Sequence, residues 1–237
     1  TNNLANASPV GYKKEGSTSQ SFDDVLTVKI KDQSVGMRNV QRLGVKNPGV
    51  KIGENYTDYS QGSFRITGNT YDLALSGEGF FAIEFTNKAG ETDTKYTRAG
   101  QFTLNKDGYL VTEEGDYVLD TQNRRIRLNT LIDSSITDDG TIYQNGQAVA
   151  KIQVTDFEDY DYLEKYGETY YQPIQGAKTI AAKAQVKSGY LEMANVQIVS
   201  EMVNLISITR AYESNQKVVQ TIDDTLDVAV NQIGRVQ

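Results

Sequence analysis

The most regular hydrophobic pattern in the chain lies in its C-terminal segment. Between Val196 and Val236 there is no proline, and the first glycine is Gly234. Spacings of three and four residues alternate along Tyr212, Asn215, Val219, Ile222, Leu226, Ala229, Ile233 and Val236. This 3.5-residue period is typical of a coiled-coil helix. At 1.5 Å per residue, the predicted helix would extend roughly 60–75 Å, beyond the reach of one small domain.

An apolar stripe of this length requires a packing partner. Burying each large side chain contributes about 1.5–3 kcal/mol, so the stripe represents on the order of 10 kcal/mol. The segment therefore predicts an assembly subunit. The alternative is a core helix that packs on its own β-domain. The charged side of the helix is interpreted as a solvated face.

Residues 64–157 show a different pattern, with short alternating or aromatic-rich runs between turn sequences. The pairs Asp139-Gly140 and Asn145-Gly146 are strong β-hairpin signals, and Glu113–Asp116 and Asn105–Gly108 also predict turns. We therefore predict an antiparallel, hairpin-rich β-domain. Its predicted strands are Phe64–Thr67, Asp72–Leu75, Phe80–Phe85, Lys95–Arg98, Gln101–Leu104, Tyr109–Thr112, Tyr117–Asp120, Arg125–Leu128, Thr141–Gln144 and Ala148–Thr155.

The remaining segments complete a four-part organisation. Thr1–Ala7 has the composition of a helix end, and Pro9 disfavours helical geometry at Ser8. We expect residues 1–63 to hold this helix remnant and an extended connector. The β-rich domain would span 64–174, a second connector 175–187 and the C-terminal helix 188–237. The fold class is mainly β, with a β-domain inserted between an extended N-terminal segment and a long coiled-coil-type α-helix.

Composition removes several classes of function. The net charge of -7 and pI of about 4.8 disfavour binding to nucleic acids and to anionic membranes. The chain contains no cysteine and no histidine, which excludes thiol nucleophiles, Cys/His metal sites, disulfides and Ser-His-Asp triads. No apolar run approaches 18 residues, so membrane insertion is not expected.

Three polar or aromatic features could suggest chemistry, but each has a simpler interpretation. Gly77-Glu78-Gly79 precedes a strand-like run, which favours a tight turn over a dinucleotide site. The carboxylates near Asp156 lack the spacing of a calcium-binding loop and are interpreted as solvated turns. The tyrosines between Tyr160 and Tyr171 favour packing or subunit contacts over sugar binding. We expect no catalytic residue, cofactor or metal, and no enzyme activity.

Three separated motifs resemble those of bacterial flagellar rod and hook proteins. Thr1–Lys14 (TNNLANASPVGYKK) resembles the N-terminal signature of that family. LALSGEGFF at 73–81, YTRAGQF at 96–102 and DGYLV at 107–111 resemble its central β-region. GYLE at 189–192, Asn195-Val196, EMVNLI at 201–206 and RAYE at 210–213 resemble its C-terminal signature. The match covers nearly the whole chain, and the motifs stand in the family's order.

The resemblance implies a subunit of a hollow rod that transmits torque and conducts exported subunits. It is closest to distal rod subunits, with proximal rod and hook subunits as alternatives. The implied partners are further copies of the chain, other rod and hook subunits and the flagellar type III export apparatus. The implied location is the basal body, outside the cytoplasm. The candidate residues of the inner self-assembly seam are Leu4, Leu205, Tyr212, Val219, Ile222, Leu226, Ala229, Ile233 and Val236.

Two other functions stay open at this point. One is a cell-wall glycan-binding β-module that oligomerises through its helix. It predicts glycan binding and a discrete oligomer. The other is a hydrolase that uses the acidic residues, which predicts a pocket with converging carboxylates.

Overall fold

The computed structural model describes residues 1–30, 40–87 and 90–231 of the chain. It forms two compact units. One comprises Thr1–Lys13 together with the chain from Ser60 onward, and the other comprises Lys14–Tyr59. The predicted fold class is confirmed: antiparallel strands dominate, and one long helix lies near the C-terminus.

The larger unit begins with the short helix α1 (Asn2–Ala5) and ends with α2 (Ile198–Asn231). Between them lie β5 (Phe64–Ile66), β6 (Leu73–Ser76), β7 (Phe80–Thr86), β8 (Thr92–Thr97), β9 (Phe102–Leu104), β10 (Leu110–Thr112), β11 (Tyr117–Val118), β12 (Ser134–Ile136), β13 (Thr141–Gln144), β14 (Gln147–Lys151), β15 (Val154–Phe157), β16 (Leu163–Tyr166), β17 (Tyr170–Pro173), β18 (Thr179–Ala181), β19 (Gln185–Ser188) and β20 (Tyr190–Glu192). A single 3-10 turn spans Tyr160–Tyr162.

The smaller unit consists of two antiparallel pairs. β1 (Lys14–Ser21) pairs with β4 (Val50–Asp58), and β2 (Val25–Ile30) pairs with β3 (Val40–Lys46). Glycines had indicated an extended connector here. At one of them, Gly16, an added Cβ would lie 2.4 Å from the Tyr56 ring, so the glycine leaves room for an aromatic side chain on the neighbouring strand.

A nine-stranded antiparallel sheet organises the larger unit. Its main order is β16-β17-β8-β7-β11-β10-β9, and β15 bridges β7 and β18. β6 pairs with β19, β5 with β20, and β12, β13 and β14 form a three-stranded sheet. Each of these pairings is antiparallel. β5 and β6 therefore bind strands that come more than a hundred residues later, which brings the two ends of the β-domain together.

β7 is buried on both faces because its Phe80–Ile83 run is fully enclosed. Phe81 packs on one face with Phe102, at a centroid distance of 5.2 Å. This face contributes to the main core, formed by Leu73, Leu75, Phe81, Phe102, Leu110, Val118, Ile126, Leu128, Ile142, Ile152 and Val186. Phe80 packs on the opposite face against Phe157 and Tyr171. The β-domain thus closes its core without the long helix.

The hairpin between β13 and β14 confirms a turn predicted from sequence. Its two central residues, Asn145 and Gly146, have φ values of 51° and 75°. Positive φ at both positions is the geometry of a type I′ turn, which matches the twist of two-residue hairpins. Asparagine and glycine adopt this conformation at low cost.

Strand predictions were correct between 64 and 157 with few exceptions. Arg125–Leu128 makes isolated bridges rather than a strand, and Ala148–Thr155 is divided between β14 and β15. β12 and all strands after Phe157 were not predicted. For β16 and β17, the alternating hydrophobic pattern of a strand was weak because Glu164, Lys165 and Pro173 interrupt the tyrosines.

The Asp120 loop offers a test of one polar contact in the fold. Asp120 Oδ1 accepts hydrogen bonds from the backbone N–H groups of Gln122 (2.8 Å) and Arg124 (2.9 Å). The Arg124 guanidinium donates to Oδ2 at 3.1 and 2.9 Å. Burial alone would raise the pKa of Asp120, but these hydrogen bonds and the adjacent positive charge hold it below its ordinary value.

We expect Asp120→Asn to lower the free energy of unfolding by about 1–2 kcal/mol at pH 7, because the charge-assisted bonds to Arg124 are lost. Because the pKa of Asp120 is lower in the folded state than in the unfolded chain, its ionised form stabilises the fold at pH values above the unfolded pKa of about 3.9. The difference in the free energy of unfolding between the variant and the parent should shrink as the pH falls below about 3.9 and then through the folded-state pKa of Asp120. Denaturant titrations followed by tyrosine near-UV circular dichroism would measure it. The exposed Asp133→Asn is the matched control, and an equal effect of both changes would contradict the expectation.

Candidate assembly site

The first part of the site is the surface of α2, which lies almost entirely open. Among the described residues of this 34-residue helix, Glu201 is half-buried and all others are exposed. Tyr212 is 69% exposed, and Val219 and Leu226 are each 57% exposed. The helix is about 50 Å long. It therefore does not pack as a core helix on its own β-domain, and its apolar side chains are available to another molecule.

The candidate seam residues fall on one side of this helix. Successive residues are rotated by about 100°, so steps of three, four and seven residues return to the same side. Leu205, Tyr212, Val219, Ile222, Leu226 and Ala229 are all exposed there. Ile233 and Val236 lie outside the described residues. Their inclusion in the seam stays a prediction.

The N-terminal third of α2 is apolar on several sides, which the seam pattern did not reveal. Val199 and Val203, four residues apart, are 75% and 55% exposed on one side of the helix, and Ile208 is 70% exposed on the opposite side. Met202 and Ile206 add two more exposed side chains. Because apolar side chains lie on opposite sides, this part of the helix is suited to contacts on more than one side.

α1 lies beside this apolar third of α2. Leu4 is half-buried and lines a cleft of about 300 Å³ together with Leu205 and Ile208. Asn6 ends α1, and its side chain donates a 2.9 Å hydrogen bond to the Asn2 side chain. The structure thus brings Leu4 and Leu205, two of the candidate seam residues, to the same cleft.

A buried ion cluster lies where the two chain ends enter the β-domain. Glu192 and Lys13 are fully buried, and Arg98 is 3% exposed. Lys13 Nζ donates to Glu192 Oε1 at 2.6 Å and to the Ser60 carbonyl at 2.7 Å. Arg98 Nη1 donates to Glu192 Oε2 at 3.3 Å. One carboxylate therefore contacts two cations that come from distant parts of the chain.

Two backbone N–H groups also donate to Glu192, one to its carboxylate and one to its main-chain carbonyl. The N–H of Gly62 donates to Glu192 Oε1 at 2.9 Å, and the N–H of Gly11 donates to the Glu192 carbonyl at 2.8 Å. A Cβ at Gly62 would lie 1.9 Å from the Met193 carbonyl oxygen, so only glycine fits this approach. The N-terminal segment, the chain after Tyr59 and β20 are held at one point.

This cluster joins the three motifs that the sequence separated. Lys13 belongs to the N-terminal motif, Arg98 to YTRAGQF and Glu192 to GYLE. Lys13 and Glu192 are 179 residues apart. Sequence reasoning did not find this contact. The available signal was the charged residue in each motif, of which Arg98 and Glu192 stand among uncharged neighbours.

The polar and aromatic features considered from sequence take structural roles. Gly77 and Gly79 have φ values of 116° and 133°, as expected of a tight turn before β7. Asp156 accepts hydrogen bonds from the Phe157 N–H (2.8 Å) and the Tyr160 hydroxyl (2.7 Å). Burial and the bond to Asp156 raise the pKa of Tyr160.

Two further tyrosines of this stretch pack inside the domain, whereas Tyr162 and Tyr166 are 41% and 42% exposed. Tyr170 and Tyr171 are buried, and burial raises the pKa of Tyr170. Phe85 contacts Tyr166 and Tyr170 edge-on, at centroid distances of 5.2 and 6.1 Å. These rings are engaged in packing rather than arranged as an open platform for a sugar. Across the described ranges, no three acidic side chains converge as a metal site would require. No helix in those ranges combines the length and apolarity needed to cross a bilayer.

Comparison with known proteins identifies relatives over nearly the full chain. Residues 187–233 match the family described as "Flagellar basal body rod FlgEFG protein C-terminal", and residues 74–146 match "Flagellar hook protein FlgE/F/G D1 domain". The FlgG rod protein of Bacillus subtilis is 33% identical over 97% of this chain and 90% of its own length.

Two proteins of Caulobacter vibrioides are similarly related. Its FlgG rod protein is 34% identical over 95% of this chain and 89% of its own length. Its FlgF rod protein is 32% identical over 99% of this chain and 90% of its own length. These relatives are named as rod proteins and not as enzymes.

We expect Glu192→Gln to lower the free energy of unfolding of the larger unit by about 3–5 kcal/mol, because two buried cations would lose their counter-charge. Tyrosine near-UV circular dichroism in denaturant would measure the loss. Limited proteolysis should also cut more readily within residues 8–13, whose docking depends on the cluster.

The exposed Glu164→Gln is the matched control and should leave stability unchanged. Combining Lys13→Met with Glu192→Gln should recover part of the loss, because one unbalanced cation is removed. If Glu192→Gln proved as stable as the parent protein, the cluster would not hold the chain ends together.

Proposed function

The chain belongs to the family of flagellar basal-body rod proteins, and we propose that it polymerises with further copies of itself into a hollow shaft. As a rod-family member it is a structural subunit of the flagellar basal body that assembles with other rod and hook subunits. More specifically, we propose that the chain occupies a distal position in the rod. The observation that carries the homopolymer is the exposed apolar surface of α2.

The proposed mechanism separates an inner from an outer layer. Of residues 188–237, the part from Ile198 onward, where α2 begins, would pack helix against helix in the inner tube, with residues 1–63 beginning in the same layer. Residues 64–174 would form the outer β-layer together with β18 and β19, which lie within residues 175–187. Burial of the seam contributes on the order of 10 kcal/mol per subunit, which favours a stiff tube over loosely tethered domains.

Torque transmission in this proposal involves no chemical step. Subunits would leave the cytoplasm through the flagellar type III export apparatus and assemble outside it. The tube would then conduct later subunits along its lumen. The net charge of -7 suits a chain that stays soluble until its apolar helix finds neighbouring helices.

The cleft lined by Leu4, Leu205 and Ile208 supports a paired-helix interior. It places the N-terminal helix end beside the start of α2 within one subunit.

The seam can be tested in cells that carry the full-length protein. We expect the double change Val219→Asp and Leu226→Asp to abolish swimming and to remove the protein from purified basal bodies. Two buried charges without partners would oppose helix packing. The β-domain should stay folded, as judged by tyrosine near-UV circular dichroism, because neither side chain contributes to its core.

Thr221→Asp provides the matched control. It introduces the same carboxylate about 140° around the helix from Leu226. This variant should swim and should be found in basal bodies. Normal swimming by the Val219 and Leu226 double variant would contradict the proposed seam.

A further inference from the structure

We propose that the carboxyl group of Asp116 holds a proton in the folded chain and donates it to the Tyr170 hydroxyl, which donates its own proton to Glu114. The turn that carries both carboxyl groups, residues 112–116, is called the acidic turn below. Its contact with β17 would be complete in acid and would weaken as the pH rises. This inference does not depend on the proposed polymer, and it gives the β-domain a pH-sensitive contact.

The acidic turn places two carboxyl groups on one tyrosine hydroxyl. It connects β10 to β11, and Tyr170 lies on β17 of the same sheet. The Tyr170 hydroxyl oxygen lies 2.9 Å from Asp116 Oδ2 and 3.0 Å from Glu114 Oε2. Both are hydrogen-bond distances, so each contact requires a proton between its two oxygens.

The tyrosine hydroxyl alone cannot supply both protons, because it carries only one. The Thr112 hydroxyl lies 3.3 Å from the Tyr170 oxygen and accepts from the Asp116 N–H at 3.2 Å, so its own proton can reach Tyr170. If both carboxyl groups were ionised, one of them would face the Tyr170 oxygen without a proton in between. A single proton on Asp116 removes this conflict and satisfies every contact.

Burial decides which of the two carboxyl groups keeps the proton. Asp116 is half-buried, whereas Glu114 is exposed. Burial raises the pKa of Asp116, and the negative charge of Glu114 raises it further, against hydrogen bonds from Tyr170 and from the Thr86 N–H that act to lower it. A charge costs less where water reaches it, so the proton belongs on Asp116 and the charge on Glu114.

No side chain of opposite charge replaces the proton. Among the described residues, neither Asp116 nor Glu114 forms an ion pair. Arg65 and Glu113 line the same cleft as Glu114, but both are exposed, so water and salt screen their charges. The charged residues on the other elements around Tyr170 are Glu84 on β7, Asp93 and Lys95 on β8, Glu164 and Lys165 on β16, and Glu168 in the turn before β17.

Loss of the Asp116 proton would break one of the two contacts. Tyr170 keeps its own proton, because burial raises the pKa of its hydroxyl, but that proton can serve only one carboxylate. Asp116 is half-buried and also receives the Thr86 N–H, whereas the exposed Glu114 can turn towards water. Glu114 is therefore the group that would leave Tyr170 as the pH rises.

The acidic turn borders the N-terminal segment of the chain. Glu114 and Tyr170 line a cleft of about 320 Å³ together with Pro9 and Val10. Val10 forms a bridge with Met193, the residue after Glu192. A movement of Glu114 towards solvent would therefore remove part of the wall of a cleft beside the segment that the buried ion cluster holds in place.

The proton on Asp116 can be measured directly in the 237-residue chain. Carbon-detected NMR of the side-chain carboxyl groups, from about pH 3 to about pH 8, would give the titration midpoint of each group. Asp116→Asn identifies the Asp116 resonance, and Tyr170→Phe identifies the ring carbon that bears the Tyr170 hydroxyl. We expect the Asp116 midpoint to lie above the ordinary value of about 3.9, and the Tyr170 carbon to shift at the same pH.

Two variants of neighbouring glutamates separate the tyrosine contact from general charge effects. Glu114→Gln removes the charge that accepts the Tyr170 proton, so it should lower the Asp116 midpoint. Glu113→Gln is the matched control, because Glu113 is also exposed but makes no hydrogen bond to Tyr170 in the described part of the chain. It should leave the midpoint unchanged.

Three outcomes would overturn the proposal. The first is an Asp116 midpoint at or below the ordinary value. The second is a Tyr170 carbon that does not shift at the Asp116 midpoint. The third is an equal effect of Glu113→Gln and Glu114→Gln, since the proton would then depend on the surrounding charge and not on the contact through Tyr170.

A second measurement tests whether the proton fastens the turn. Because the pKa of Asp116 is higher in the folded chain than in the unfolded chain, its contribution to stability is fully present below about pH 3.9 and is lost as the pH rises through the folded-state pKa. Asp116→Asn carries an amide that can donate to Tyr170 at every pH. Denaturant titrations should show this variant gaining stability relative to the parent as the pH rises, and a constant difference would contradict the proposed fastening.

Discussion

The buried carboxylate of Glu192 is the contact on which the arrangement of the larger unit depends. It accepts from Lys13, Arg98 and the Gly62 N–H in a place that water does not reach. A buried charge of this kind is costly unless it is balanced, so the three segments are fixed together or not at all. β20 ends at Glu192, and α2 begins at Ile198, a few residues later. The same contact therefore sets where the N-terminal segment leaves the β-domain and where the long helix starts.

That constraint explains why the helix surface is left open. β7 is enclosed on both faces by the main core and by the aromatic side chains, so the sheet has no large apolar face left for a helix to cover. α2 leaves from the end of the domain and carries its own apolar surface away from it. A helix of this length gains most of its stability from packing rather than from intrinsic propensity. The fold thus separates a domain with its own closed core from a helix whose apolar side chains stay exposed in the single chain.

Sequence patterns that act over a few residues predicted much of this architecture, but contacts between residues far apart in the chain were missed. The type I′ turn at Asn145-Gly146 and the helix in the C-terminal segment follow from rules that act within a few residues. The edge strand β16 and its neighbour β17 were missed because β16 carries charged residues on a partly exposed strand and β17 ends in a proline. The Glu192 cluster was missed for a different reason. No spacing rule connects Lys13 with Glu192, and only the three-dimensional fold shows that their motifs meet.

The energy of the α2 seam indicates what kind of task the helix can have. Its large apolar side chains represent on the order of 10 kcal/mol if they are buried between helices, which is comparable to the whole free energy of unfolding of a typical domain. The core of the β-domain is closed without any contribution from these side chains. Packing of the helix against another molecule would therefore leave the β-domain unchanged, because the surface that it buries lies outside that core.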